Sequence, residues 1–123
     1  MLTLYGLKNC QTCQKARKWL DRHAIAYRFC DYREEPIPTA VLSAWASQVG
    51  HFKHIINAAS PTWRQLPAPR RDPATQAEWI VLLRDYPALI RRPVLAGSDG
   101  QYLEQGFSHG AYEKRFGSGH QDD

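Results

Sequence analysis

Long hydrophobic runs are missing from this sequence. The longest apolar stretches, such as Trp79 to Leu83, are far below the roughly 20 residues that a membrane helix needs. The first apolar residues lead into Gly6 and Lys8 without the core of a signal peptide. We therefore expect a cytoplasmic protein with no membrane partner. With 123 residues, 43% of them hydrophobic and 23% charged, the chain has the composition of one globular domain.

Cysteine is also scarce. Cys10, Cys13 and Cys30 cannot all pair within one chain, and a reducing cytosol keeps structural disulfides open, so we do not expect a disulfide scaffold. A zinc site is disfavoured because no second C-x-x-C pair follows and His51 and His54 lie on a remote segment. We expect no metal and no tightly bound cofactor. Cys30 lies in a predicted strand, where a cysteine is usually a small buried apolar residue.

The excess of positive charge is small. Sixteen Lys and Arg against twelve Asp and Glu give a net charge of +4, which helps anions approach. The basic residues are scattered apart from Arg70-Arg71 and Arg91-Arg92, and no stacking aromatic signature accompanies them. We expect no direct contact with nucleic acid.

Four segments have the pattern of β-strands. Residues 2–6 have alternating side-chain character and are β-prone, and residues 25–32 again have β character. Between them, residues 12–23 carry apolar residues at helical spacing. A strand, helix and strand of this length form a right-handed crossover with parallel strands. Residues 93–96 and 101–104 flank a glycine-bounded turn and predict a hairpin. The fold class is therefore α/β.

The remaining segments are predicted to be helical. Thr39 can cap a helix that ends at Gly50, and Pro73 stands at the first turn of another that continues to about Tyr86. Between them, residues 51–72 contain prolines that leave only short helical turns. Ser108 can cap a final helix through Phe116. Residues 117–123 have nothing to bury and predict a flexible tail.

The Cys10-x-x-Cys13 motif carries the candidate chemistry. Cys10 falls where the first strand ends and the first helix begins, and backbone N–H groups there favour a thiolate. That thiolate can attack a disulfide, and Cys13, one turn later, can resolve the mixed disulfide. Lys8, Lys15 and Arg17 lie close in sequence and add positive potential.

Arg91-Arg92-Pro93 precedes the third strand and has two interpretations. It is either a solvated basic pair before a strand-initiating proline or an anion clamp beside the thiolate. The residue types alone favour neither.

Several short motifs occur together over roughly residues 1–116. They are Leu4-Tyr5-Gly6 with Lys8-Asn9-Cys10, Lys15-Ala16-Arg17 with Trp19-Leu20, Tyr32-Arg33, Thr62-Trp63-Arg64 with Leu66, and Arg91-Arg92-Pro93 with Gly106-Phe107-Ser108. In these motifs the sequence resembles a known family, the arsenate reductase and Spx-type branch of the thioredoxin superfamily, and within it the YffB-like proteins.

The resemblance implies a thioredoxin-like domain over 1–116, with a four-stranded mixed sheet, flanking helices and a helical insertion at about 38–86. It also implies a cis Arg92–Pro93 bond near Cys10, which is credible because cis is cheap only before proline. The expected catalytic residues are Cys10, Cys13 and Arg92. The expected substrate-binding residues are Lys8, Asn9, Arg92 and Pro93.

The resemblance implies three alternative activities. In glutaredoxin-linked arsenate reductases the cysteine matching Cys10 attacks arsenate and arginines, one matching Arg92, hold the oxyanion. Two further clamp arginines have no counterpart here, because Asn57-Ala58-Ala59-Ser60 and Gly106-Phe107 stand in their places, so we rank arsenate reduction lower. Cys13 also matches the redox switch of Spx-like regulators, which bind RNA polymerase. We predict a thiol-disulfide oxidoreductase that uses glutathione as co-substrate, with glutaredoxin or another protein thiol as a further partner.

Overall fold

The computed structural model describes residues 1–117 and contains a four-stranded sheet. Its strands are β1 (Leu2–Gly6), β2 (Tyr27–Asp31), β3 (Val94–Ala96) and β4 (Tyr102–Gln105). The order is β2-β1-β3-β4, with β1 parallel to β2 and antiparallel to β3, and β3 antiparallel to β4. The predicted crossover, the hairpin and the four-stranded mixed sheet are therefore confirmed.

Helix α1 (Gln11–Arg22) is the next element after β1 and forms the crossover to β2. Cys13, Ala16 and Leu20 recur at helical spacing and are each 0% exposed, so one stripe of α1 faces the interior. The chain leaves the helix through Ala24, which adopts a positive φ of 55°. The helix begins and ends one residue earlier than predicted.

Helix α5 (His109–Phe116) packs against α1 and the sheet. Its Ser108 hydroxyl accepts the backbone N–H of Ala111 at 3.1 Å, which confirms the predicted cap. The ring of the buried Tyr112 meets Trp19 edge-on with centroids 5.4 Å apart. The core cluster joins both helices to β1 and β3, and its buried members are Leu4, Ala16, Trp19, Leu20, Leu95 and Tyr112.

Contacts between residues divide the described chain into two compact units, 1–31 with 92–117, and 32–91. The predicted helical insertion at about 38–86 lies within the second unit. The predicted domain boundaries stay a prediction, and the predicted tail lies outside the described residues from 118 onward. No described helix has both the length and the hydropathy needed to cross a membrane.

The unit over 32–91 contains helices α2 (Thr39–Val49), α3 (Pro61–Gln65) and α4 (Gln76–Asp85), with 3₁₀ turns at Phe52–His54, Ala68–Arg71 and Pro87–Leu89. The irregular character predicted for 51–72 is confirmed. The largest fully buried side chains of this unit are Leu42, Trp45, Ile55, Leu82, Leu83, Leu89 and Ile90.

Two helix starts in this unit differ from prediction. Pro38, not Thr39, is the N-cap of α2, and the Thr39 hydroxyl instead accepts a hydrogen bond from Arg84 at 2.8 Å. Pro73 lies before α4, because Thr75 and Glu78 form a reciprocal capping box that starts the helix at Gln76. In that box the side chains of Thr75 and Glu78 each accept a hydrogen bond from the other residue's backbone N–H. A proline in the first turn makes no hydrogen bonds of this kind, because it lacks both the N–H and a polar side chain.

Candidate active site

Cys10 lies at the junction of β1 and α1, as predicted. After β1 ends at Gly6, the backbone N–H of Cys10 donates to the carbonyl of Leu7 at 3.2 Å. The carbonyl of Cys10 accepts the N–H of Gln14 at 3.0 Å while its own backbone is extended (φ −98°, ψ 122°), so Cys10 is the N-cap of α1. Its half-buried thiol therefore lies where the helix dipole favours negative charge.

The surroundings of Cys10 favour its thiolate. Burial alone would raise the pKa of Cys10, but the backbone N–H of Cys13, the thiol of Cys13 and the guanidinium of Arg92 act in the opposite direction. Together they hold the pKa of Cys10 below its ordinary value of 9.0. The sulfur forms no capping hydrogen bond of regular geometry, so proximity to the Cys13 N–H, rather than a full bond, supplies the backbone contribution.

Cys13 has the opposite character. It is 0% exposed, and burial, reinforced by the neighbouring Cys10 sulfur, raises the pKa of Cys13 to about 12. Gly6 makes room for it, because a Cβ on Gly6 would lie only 2.6 Å from the sulfur of Cys13. Cys13 is thus a protonated thiol, shielded from solvent and adjacent to Cys10.

Arg92 reaches the site through the pairing of β1 with β3. Val94 lies opposite Tyr5, so the two residues before β3 stand beside the chain that leaves β1. The Arg92–Pro93 peptide bond is cis, which confirms the geometry that the resemblance implied. Pro93 is buried, and its carbonyl accepts the N–H of Gly106 at 2.8 Å. Of the two interpretations of the arginine pair, the one that places a guanidinium beside the thiolate fits Arg92.

Lys8 and Asn9 form the exposed turn before Cys10. The backbone N–H of Lys8 donates to the Asp31 carboxylate at 3.0 Å, and the carbonyl of Lys8 accepts the Gln14 side-chain amide at 3.0 Å. The turn is therefore held to the end of β2 and to the first turn of α1. The substrate-binding roles of Lys8, Asn9 and Pro93 stay a prediction.

Three supporting residues were missed by the sequence analysis. Gly6 admits the Cys13 sulfur, while Asp31 and Gln14 hold the turn. The parallel pairing of β1 with β2 indicates the position of Asp31, because Gly6 and Asp31 are register partners at the ends of the two strands and the Lys8 turn follows Gly6.

The third cysteine lies within the sheet. Cys30 lies in β2 opposite Tyr5, is 4% exposed and, like Cys10 and Cys13, is not in a disulfide. It is buried, as predicted. Across residues 1–117, no group of three or more His, Cys, Asp or Glu side chains is placed to hold a metal ion.

A β2-β1-β3-β4 sheet with a thiol where β1 meets α1 defines a thioredoxin-like protein. Comparison with protein families then narrows the class. The ArsC family model matches residues 5–115, and the chain belongs to the ArsC family. The family recognised from the sequence motifs is confirmed.

Three similar proteins illustrate the range of this family. A solved structure of a YffB protein is 36% identical, covers 95% of this chain and 100% of its own, and superposes with a TM-score of 0.82. An arsenate reductase related protein from Brucella melitensis is also 36% identical, over 94% of this chain and 93% of its own, with a TM-score of 0.70. The global transcriptional regulator Spx of Enterococcus faecalis is 30% identical over 88% of this chain and 80% of its own.

Proposed function

We propose that this protein is a thiol-disulfide oxidoreductase with Cys10 as its nucleophile. The observation that carries the proposal is the position of Cys10 at the N-terminus of α1, where the Cys13 thiol and the Arg92 guanidinium act on its sulfur and favour the thiolate. A thiolate is the nucleophilic form of cysteine, so a lowered pKa makes more of the attacking species near neutral pH. Arg92 additionally attracts a substrate that carries a carboxylate.

The proposed reaction has two steps. The Cys10 thiolate attacks one sulfur of a substrate disulfide, forms a mixed disulfide and releases the other half of the substrate as a thiolate. Cys13 then attacks the Cys10 sulfur, and the bond to the second half of the substrate breaks while the proton of Cys13 passes to the departing sulfur, which leaves as a thiol. The substrate gains two electrons, and Cys10 and Cys13 are left as an intramolecular disulfide.

The burial of Cys13 supports its role as the resolving thiol. With 0% exposure and a pKa raised to about 12, Cys13 is a poor nucleophile toward molecules in solution. Its adjacency to Cys10 still lets it attack once Cys10 carries the mixed disulfide. We assign glutathione as the co-substrate that reduces the Cys10–Cys13 disulfide, two molecules being oxidised to glutathione disulfide, and we place the reaction in the cytoplasm, where glutathione is mostly reduced.

The test combines a titration with turnover. Thiolate absorbance followed against pH in Cys13→Ser should give an apparent pKa for Cys10 below 9.0. Reduction of a glutathione mixed disulfide should be lost in Cys10→Ser, while Cys30→Ser, which alters a buried cysteine outside the site, should stay active. A Cys10→Ser protein with full activity would rule out the proposal. Full activity of Cys13→Ser with glutathione would mean that glutathione, rather than Cys13, resolves the intermediate.

A redox-sensing regulator that binds RNA polymerase is the second candidate. It is favoured by the 30% identity to a global regulator Spx together with the Cys10 and Cys13 pair. Under this candidate, formation of the disulfide changes affinity for the polymerase. A pull-down from cell extract with the oxidised and the reduced protein tests it, and recovery of no polymerase subunit in either state would exclude it.

Glutaredoxin-linked arsenate reduction ranks third. Arg92 is the clamp arginine that the resemblance retains, and two others have no counterpart in the sequence. Each missing arginine removes a charge-assisted hydrogen bond to the oxyanion, so we expect arsenate to bind weakly. Arsenite formation measured with glutathione and glutaredoxin decides this, and turnover comparable to that on disulfides would reverse the ranking.

A further inference from the structure

A basic cleft lies between α1 and the start of α5. The cleft has a volume of about 440 Å³, and we define it by Lys15, Lys18 and Arg22 on α1 together with residues 107–109. Trp19 forms part of its floor. Neither Cys10 nor Arg92 lines the cleft, and the proposed reaction assigns no role to the residues that do.

The charge of this cleft is unbalanced. Lys15, Lys18 and Arg22 are all exposed, and no carboxylate is among the described residues that line the cleft. Over residues 1–117, none of the three forms an ion pair with another side chain. By contrast, Arg70 and Arg115 each lie 2.9 Å from a carboxylate. Three neighbouring cations without counter-charges attract an anionic ligand.

The spacing of the cations defines the size of that ligand. Positions 15, 18 and 22 recur at three and four residues and so lie along one side of α1. Seven residues separate Lys15 from Arg22, which is roughly 10 Å along the helix axis. A small inorganic anion contacts only part of such a row, whereas a peptide with several carboxylates can contact all of it.

The floor of the cleft argues against nucleic acid. Trp19 is 3% exposed, and its ring is stacked on His23 with centroids 3.8 Å apart, so it offers no open face to a base. Phe107 is half-buried and its ring meets Tyr112 edge-on at 4.8 Å. Single-stranded nucleic acid is bound through successive bases stacked on open aromatic faces, and among the described residues that line the cleft the exposed His109 is a single ring, which does not make such a platform.

We propose that the basic cleft docks an acidic segment of a partner protein, one whose carboxylates are spread over about 10 Å. Binding of the acidic segment does not depend on the proposed function. The inference that the bound partner is a disulfide substrate of Cys10 rests on it. Because α1 begins directly after Cys10, a partner bound along α1 presents its disulfide near the end of the helix that carries the thiolate. The partner is thus a protein disulfide substrate with an acidic surface.

The experiment measures binding of a fluorescein-labelled octaglutamate peptide by fluorescence polarisation, with the full-length reduced protein at about 50 mM salt. The triple variant Lys15→Gln, Lys18→Gln and Arg22→Gln should bind about tenfold more weakly, because three exposed ion pairs are lost. The matched control removes three exposed cations from the other unit and should bind as the wild type does. Its substitutions are Lys53→Gln, Arg64→Gln and Arg71→Gln.

Three outcomes would overturn the docking proposal. Equal weakening of both triple variants would mean that net charge alone attracts the peptide. Equally tight binding of a labelled oligothymidine that the cleft variant also loses would assign the cleft to nucleic acid, and full competition by inorganic phosphate would assign it to small anions. Binding by Cys10→Ser at wild-type strength supports the cleft independently of thiol chemistry, so the two proposals fail separately.

Discussion

Replacing Gly6 by alanine tests how Cys13 is held. The new Cβ would lie 2.6 Å from the Cys13 sulfur, about 0.8 Å inside the 3.4 Å at which ordinary contact begins. Extra atoms in a packed core lower the free energy of unfolding by about 1–3 kcal/mol. Alanine also reduces the conformational entropy of the unfolded chain, which raises the free energy of unfolding by only about 0.4–1 kcal/mol. We therefore expect Gly6→Ala to lower the free energy of unfolding by about 1–2 kcal/mol.

The same contact predicts a strong coupling between the two positions. In Cys13→Ala the sulfur is gone, and the nearest remaining atoms are the Cys13 Cβ and the Phe29 ring, each 3.4 Å from the new Cβ of Gly6→Ala. In that background Gly6→Ala should change stability little, so a double-mutant cycle should give an interaction energy of about 1–2 kcal/mol. Gly6→Ala alone should also slow formation of the Cys10–Cys13 disulfide, because the Cys13 thiol is displaced.

The assay is urea unfolding. The free energies of unfolding of the variants are compared with one common slope against urea concentration. Gly110→Ala is the matched control, since a Cβ on this α5 glycine would meet nothing within 4 Å and should leave stability unchanged or raise it by about 0.5–1 kcal/mol. An equal cost of Gly6→Ala with and without the Cys13 sulfur would refute the reasoning.

Four further predictions concern the site and the packing. Arg92→Gln should raise the apparent pKa of Cys10 in an alkylation-rate profile, because the guanidinium stabilises the thiolate; an unchanged profile would remove Arg92 from the site. Since the folded pKa of Cys10 lies below its unfolded value of 9.0, its thiolate should contribute stability that is complete above pH 9.0 and is lost as pH falls through the lowered pKa, which urea unfolding of the wild type and Cys10→Ser at a series of pH values would show. Thr75→Ala should cost about 1 kcal/mol in urea unfolding, because the capping box of α4 is lost, while Ser47→Ala, a change at an exposed position in the last turn of α2, should cost almost nothing. Tyr112→Phe should leave the melting temperature equal or higher, because this buried hydroxyl has no hydrogen-bond partner among the described residues; a clear loss of stability would contradict that.

Helix starts show where prediction from sequence succeeds and where it fails. The Ser108 cap was predicted because one hydroxyl and one N–H three residues on are sufficient for it. Thr39 satisfied the same local rule, yet its hydroxyl bonds Arg84, a residue distant in sequence, and Pro38 takes the cap. Local chemistry is decisive only where no long-range partner competes for the same group.

The sequence by itself determined the order of strands and helices in the sheet unit, the position of Cys10 between β1 and α1, and the family, because these depend on spacing between near neighbours and on motifs. Only the tertiary structure decided the chemistry of the two thiols. The guanidinium that lowers the pKa of Cys10 arrives through the antiparallel pairing of β1 with β3. The burial that raises the pKa of Cys13 depends on its packing against Gly6. Electrostatic and packing energies act over ångströms in space, and separation along the chain does not measure those distances.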